Sequence, residues 1–227
     1  MNINILRPLF DSGKLWQGNT ETTIEVTDTG FPELNDKLSG RGWPAHMLIE
    51  ILTSDIFSAP IRCAFSTWKT QQDERWIALV NPPLAPCTER LMQEGINPKR
   101  VDVLNISTNQ FAWSLEQLAN AVSTRSIIAW ESETLTPIQL KRLQLACQRG
   151  QTQLFLIRNP RNQRQASPAP VRIAVDSLPS GFEIRIFKQP GTNAKSPVVI
   201  PPELHWLETP SPAQRKTSVL KTQSSLH

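Results

Sequence analysis

Five short apolar runs, separated by helix-length stretches, constrain the fold of this chain more than any other feature of it. They are Leu48-Ile49-Glu50-Ile51-Leu52, Arg75-Trp76-Ile77-Ala78-Leu79-Val80, Val101-Asp102-Val103-Leu104-Asn105-Ile106, Ser126-Ile127-Ile128-Ala129-Trp130 and Leu154-Phe155-Leu156-Ile157. A strand buried on both faces reads as a near-continuous apolar run, and helices between such strands make right-handed crossovers in a parallel sheet. The stretches between the runs carry helix signals. Pro60 and Pro137 stand in a first helical turn, where a missing N–H costs little. Phe111, Leu115, Leu118, Ala119 and Val122 recur at helical spacing, and Gly95 and Gly150 close the segments opened by Pro86 and Pro137. An α/β fold follows, with a mostly parallel sheet covered on both faces.

The pattern changes beyond Arg158. A polar loop leads to two segments that alternate with period two, Val171–Val175 and Phe182–Lys188, joined at Pro179-Ser180-Gly181. That is the signature of an antiparallel hairpin added at the sheet edge. Upstream of the first run, Phe31, Leu34 and Leu38 share one face of a short helix, stopped by Ser39-Gly40-Arg41-Gly42-Trp43-Pro44. The expected organisation is an N-terminal arm over 1–27, a core domain over 28–190 and a flexible tail over 191–227, rich in Pro, Ser, Thr and Lys. Trp76, Trp113 and Trp130 fall in core elements. Trp16, Trp43 and Trp206 fall in arms and turns, where aromatics are candidate interface anchors.

A net charge of +4 and a pI near 9.2 allow contact with nucleic acid or an acidic partner without requiring it. The three cysteines, Cys63, Cys87 and Cys147, lie far apart with no CxxC pair, which argues against a disulfide framework and for a reducing compartment. No run approaches the roughly 20 apolar residues that span a bilayer, so a cytoplasmic location without membrane contact is expected. His46, His205 and His227 are scattered, with no metal spacing and no neighbouring nucleophile. No catalytic residue, metal site or cofactor is therefore expected, and the chain is read as not an enzyme.

Several of these stretches together resemble a known family. Leu15-Trp16-Gln17-Gly18, Thr29-Gly30-Phe31, Arg41-Gly42-Trp43-Pro44, the Leu48–Ile51 strand and Arg142-Leu143-Gln144-Leu145-Ala146, in this order, are similar to the ImuA family. Its members are RecA-like accessory proteins of damage-induced mutagenesis, and the likeness runs from about 14 to about 190. The region Arg75 to Arg158 is also similar to SulA, which stops cell division during DNA damage by binding FtsZ. Of the SulA positions thought to contact FtsZ, Arg75 and Arg100 keep a basic residue, whereas Arg90 replaces an aromatic.

The resemblance implies a RecA-like three-layer core with an antiparallel C-terminal hairpin. On the RecA pattern, Thr53 and Ser58 occupy the two phosphate-loop glycine positions, Ala59 the lysine and Pro60 the magnesium-binding Ser/Thr. Without these glycines the backbone cannot approach the phosphates closely, and without the lysine their charge lacks its partner. No ATP binding is expected, and Asp55 adds repulsion. Glu131 matches the acidic position after the fourth strand and could hold Mg²⁺ through water, or simply cap a strand end. Arg158, Arg161 and Arg164 match a DNA-contacting connection, to be set against a solvated surface loop. Lys188 ends the last strand as an edge lysine. Trp206 is either a partner-binding motif or part of a disordered tail. The implied role is an adaptor for an ImuB-like Y-family polymerase homologue and an error-prone replicative-type DNA polymerase. RecA and weakly held single-stranded DNA are further candidate partners. The alternative is a SulA-like inhibitor acting on FtsZ.

Overall fold

The computed structural model describes residues 25–55, 59–69, 74–191 and 196–201. In chain order the strands and helices begin with β1 (Val26–Thr27), α1 (Pro32–Lys37), β2 (Trp43–Pro44), β3 (Leu48–Leu52), α2 (Ala59–Lys69) and β4 (Trp76–Val80). They continue with α3 (Thr88–Gln93), β5 (Val101–Leu104), α4 (Phe111–Asn120), β6 (Thr124–Trp130) and α5 (Pro137–Gly150). Last come β7 (Gln153–Arg158), a 3₁₀ turn over Pro160–Arg164, β8 (Val171–Leu178), β9 (Gly181–Lys188) and β10 (Val198–Ile200).

Eight strands form one sheet in the order β10-β9-β8-β3-β7-β6-β4-β5. The strands from β8 to β5 in that order are mutually parallel, and β9 and β10 close the other edge in antiparallel pairing. The two faces carry separate cores. Ile49, Ile51, Leu79, Phe155 and Ile173 pack under α1, α2 and α3, while Leu48, Ile127, Leu154 and Leu156 pack under α4 and α5. This is the expected α/β architecture, with a mostly parallel sheet and antiparallel strands at its C-terminal end.

Local chemistry fixes where the elements stop. Thr136 caps α5 by accepting from Gln139 N, and the Gln139 side chain accepts from Thr136 N at 2.8 Å, which satisfies two otherwise orphan amides. The helix ends at Gly150, where an added Cβ would sit 2.0 Å from the Ala119 carbonyl oxygen, so α4 and α5 approach there only because no side chain intervenes. Asn81, in the left-handed region at φ 53°, bonds both the N–H and the carbonyl of Ile106 through its side chain. Those groups are thereby withdrawn from the ladder, and β5 stops at Leu104.

Three expectations need correction. Residues 198–200 do not belong to an unstructured tail: Val198 and Ile200 are buried and β10 pairs with β9, because a Val-Val-Ile alternation suffices to cover the hairpin. Trp43 is a core residue with no exposed surface, edge-on to Phe155 at 5.8 Å and donating through Nε1 to the Cys63 carbonyl at 3.0 Å. Trp113 and Trp76, placed in the core by pattern, are 61% and 38% exposed. Trp16 and Trp206 lie outside the described residues. Among the described residues, no helix is long and apolar enough to cross a membrane.

The thiols divide by location. Burial pushes Cys63 up to about 12 and Cys147 higher still, whereas Cys87 is exposed. A neutral buried thiol is a poor nucleophile. Titration with Ellman's reagent is therefore expected to modify Cys87 alone in the native protein, and Cys63 and Cys147 as well after unfolding in guanidinium.

Candidate functional site

The C-terminal end of a parallel sheet is where α/β folds place ligands, because loops and helix starts converge there. Here β3, β6, β7 and β8 bring four charged side chains to that end. Glu50 alternates with Leu48 and Leu52 and so faces the α5 side, as Arg158 does beyond Leu154 and Leu156. Arg172 lies opposite Glu50 across the β3–β8 pair, and Glu131 follows the last residue of β6.

These groups form one buried network. Glu50 Oε2 accepts from Arg172 Nε at 2.7 Å, and Glu50 Oε1 accepts from Ser167 Oγ at 2.5 Å. Arg158 Nη1 stands 3.3 Å from Glu50 Oε1, an ion pair without hydrogen-bond geometry. On its other side Arg158 donates through Nε to Glu131 Oε1 at 2.9 Å and through Nη2 to Gln165 Oε1 at 2.6 Å. Glu131 also accepts from Asn162 Nδ2 at 2.8 Å and from the Leu135 amide at 3.1 Å. Arg172 spends its terminal nitrogens on the carbonyls of Gln163 and Asn162 and lies 5.0 Å over the Phe187 ring. The side chains of Glu50 and Arg158 have no exposed surface.

The turn after β3 is occupied by its own chain. Thr53 N donates to the Arg158 carbonyl at 3.0 Å, Asp55 N donates to Thr53 Oγ1 at 2.9 Å, and the Asp55 carboxylate accepts from Ser177 Oγ. Ser58 lies outside the described residues, and Ala59 and Pro60 form the first turn of α2. The described part of this turn does not fit a triphosphate: two amides that could cradle it are engaged, and a carboxylate stands beside them. Glu131 fits a strand-end anchor better than a metal-water contact, since both of its oxygens are already held by the protein.

The three arginines expected to contact nucleic acid do not stay together. Arg158 is corrected to a core residue, because the strand continues through it and alternation turns its side chain inward; Arg161 and Arg164 are exposed on the 3₁₀ turn. These two share a polar concavity with Phe187 of β9. Phe187 is an aromatic absent from the loop itself, and only the hairpin's return brings it there, so no local signal announces it. Lys188 donates to the Ser167 carbonyl at 2.6 Å, and partial burial followed by the charge of Arg172 lowers its ammonium below the usual lysine range.

A second cluster lies at the opposite end of the sheet. Arg100 stands 5.6 Å over the half-exposed Trp76 ring and 3.4 Å from Glu74, and Arg75 donates to the Gln151 carbonyl at 3.0 Å. Arg90 is not part of this cluster: it lies on α3 near the C-terminal end of β4 and is ion-paired with Glu94. Aromatic and arginine side chains held side by side at a surface are the residue types that dominate protein interfaces.

The chain is 31% identical over 159 residues to the cell division inhibitor SulA of Pseudomonas aeruginosa, which covers 66% of this chain and 91% of that protein. The crystal structure of the RadB recombinase superposes with a TM-score of 0.59 at 15% identity, over 77% of this chain and 94% of that one. The crystal structure of SulA from Pseudomonas aeruginosa aligns at a TM-score of 0.39 and 24% identity, over 49% of this chain and 97% of that one. No protein-family model matches the chain. The RadB likeness is one of fold, a RecA-like sheet with its helices.

Removing Arg158 leaves Glu131 without its cation and Glu50 with Arg172 alone, whereas Arg161 and Arg164 reach water. Arg158→Ala is expected to cost about 3–5 kcal/mol in urea unfolding. Arg161→Ala and Arg164→Ala are each expected to stay within about 0.5 kcal/mol of the parent.

Proposed function

This chain belongs to the SulA family, and from that premise we propose that it is a non-catalytic docking protein of the DNA-damage response, an adaptor of translesion synthesis. The observation that carries the reading is the use of the sheet's C-terminal end. In a RecA-like fold that end is available for a nucleotide. Here Glu50, Arg158, Arg172 and Glu131 neutralise one another inside it, and the described turn after β3 is bonded to itself and to β7 and β8. Among the described residues, such an end offers a rigid scaffold whose charged groups are already engaged with one another.

What remains for function is surface. The order of the Leu-Trp-Gln-Gly, Thr-Gly-Phe and Trp-Pro segments supports an ImuA-type role within the family. Its partners would be an ImuB-like Y-family polymerase homologue and an error-prone replicative-type polymerase. The exposed Arg161 and Arg164 beside Phe187 suit a supporting contact with a single strand's phosphates and bases.

A second reading is favoured by a specific observation. Arg75 and Arg100 keep the basic residues that the SulA likeness associates with FtsZ, Arg100 lies over the half-exposed Trp76 ring, and the relative is a cell division inhibitor. In that reading the Trp76–Arg100 surface sequesters FtsZ and the cell filaments.

Two measurements separate these roles from each other and from an ATPase. Affinity-tagged full-length protein recovered from damaged cells is expected to bring down the Y-family homologue and the polymerase. Recovery of FtsZ instead, with filamentous growth on overexpression that Trp76→Ala relieves, would transfer the assignment to the inhibitor. A fluorescent ATP analogue is expected to show no binding at micromolar concentration; binding lost on altering Thr53 and Asp55 would restore an enzyme.

A further inference from the structure

We propose that the outer face of α4 and α5 is a docking surface for an acidic amphipathic helix of a partner protein. α4 returns from the end of β5 to the start of β6, and α5 from the end of β6 to the start of β7. Because those strands are parallel, the two helices run side by side in the same direction. Arg142 of α5 reaches Glu116 of α4 at 2.6 Å across the seam between them. Trp113 lies one turn before Glu116 and Ile138 one turn before Arg142, so both flank this bridge toward the helix starts. They are 61% and 75% exposed. Leu145, half-buried and three residues beyond Arg142, continues the α5 row.

The core has no use for these side chains. Phe111, Leu115 and Ala119 already turn the inner face of α4 to the sheet, and Leu140, Leu143 and Cys147 that of α5. Gly150 lets the two helices touch at their far ends. The outer face is thereby held in place before anything binds it, which spares a partner part of the ordering cost. Tryptophan is among the residue types most enriched in binding anchors.

Charge selects the occupant. α5 carries Lys141, Arg142 and Arg149 and no acid, and the one acid of α4, Glu116, is engaged with Arg142. Glu133 precedes the Thr136 cap and stands outside both helices. Lys141 and Arg149 reach water. A second copy would bring the same cations to this face and be repelled. Two aliphatic side chains beside a single aromatic reward leucine-type side chains more than stacked bases, which sets a nucleic acid aside. What fits is a helix whose apolar stripe meets Trp113 and Ile138 and whose carboxylates meet Lys141 and Arg149. The inference rests on the reading of the chain as a docking protein and names the chemistry of its partner, whichever of the two partner sets it serves.

The probe is a fluorescein-labelled peptide of 14 residues, the length of α5, with leucines at amphipathic helical spacing and glutamate at the other positions. Its anisotropy is followed on titration with the full chain. Binding is expected, weaker at high salt, and weaker on the order of ten-fold for a shuffled peptide of the same composition, which has no stripe. Trp113→Ala combined with Ile138→Ala removes two exposed anchors, leaves thermal unfolding unchanged and is expected to weaken binding on the order of thirty-fold. Lys141→Glu combined with Arg149→Glu is expected to reverse the preference: that variant releases the glutamate peptide and takes up its counterpart with lysine in place of glutamate, a gain that mere misfolding does not produce. No binding of the probe, equal binding of the shuffled peptide, binding that survives loss of Trp113 and Ile138, or no reversal each overturns the proposal. Binding of oligo(dT) that is tighter than that of the peptide and lost with Trp113 and Ile138 assigns the face to nucleic acid and overturns it. A parent dimer that dissociates on Trp113→Ala assigns the face to a second copy and overturns it too. Recovery of either partner set in the pull-down bears on the functional reading alone.

Discussion

A carboxylate in the middle of a parallel sheet is the constraint on which the rest of this structure depends. Glu50 sits between Leu48 and Leu52 on the central strand with no exposed surface. An isolated ion there would cost several kcal/mol. It is tolerable because the strands on either side each supply an arginine, Arg158 from β7 and Arg172 from β8. One carboxylate between two guanidinium groups leaves an excess positive charge, which Glu131 cancels from the end of β6. Two acids and two bases close a neutral set, and Ser167, Asn162 and Gln165 bond what remains. Such a cluster adds little net stability over apolar packing, but it penalises any other arrangement of these strands. A shift of β8 by one residue against β3 would turn Arg172 to the opposite face and leave Glu50 half-paired.

Much of this fold was legible in the sequence, for a definite reason. Strands buried on both faces must be apolar almost throughout, so β3, β4, β6 and β7 announced themselves, and the proline and glycine punctuation placed α5. The misses have equally definite causes. Arg158 read as the first residue of a polar loop because Asn159-Pro160-Arg161 follows it, although continuing the alternation of Leu154 and Leu156 would have turned it inward. Trp43 was assigned outward because β2 is only two residues long, too short to carry a pattern. β10 was lost between Pro197 and Pro201. Phe187 beside Arg164, and Ile200 beside Phe182, are products of the hairpin's return, and no window of adjacent residues contains them.

The candidate site was hidden from the sequence. The missing glycines and lysine after β3 spoke against a phosphate cradle. What stands at that end of the sheet could not be read, since its members are spread from position 50 to position 172. The fold is that of a RecA-like protein, and the chain belongs to the SulA family. The features that distinguish this chain lie at its edges: a basic turn beside an aromatic, an arginine stacked on a tryptophan, and an apolar groove at the end of β4.

The order of the strands has a consequence for how the protein is made. The central strand is the third of the ten described, yet both of its neighbours come late, and Glu50 meets Arg172 across a sequence separation of 122 residues. A ribosome adding about 5–20 residues per second needs roughly 6–25 s to deliver that partner. Until β7 delivers Arg158, an apolar strand with an uncompensated acid at its centre stands open on both sides, and the side that β8 covers stays open until Arg172 follows. The nascent chain is then a substrate for holding chaperones. Truncation between α5 and β8 would release a polypeptide with every described helix and no means of closing its sheet.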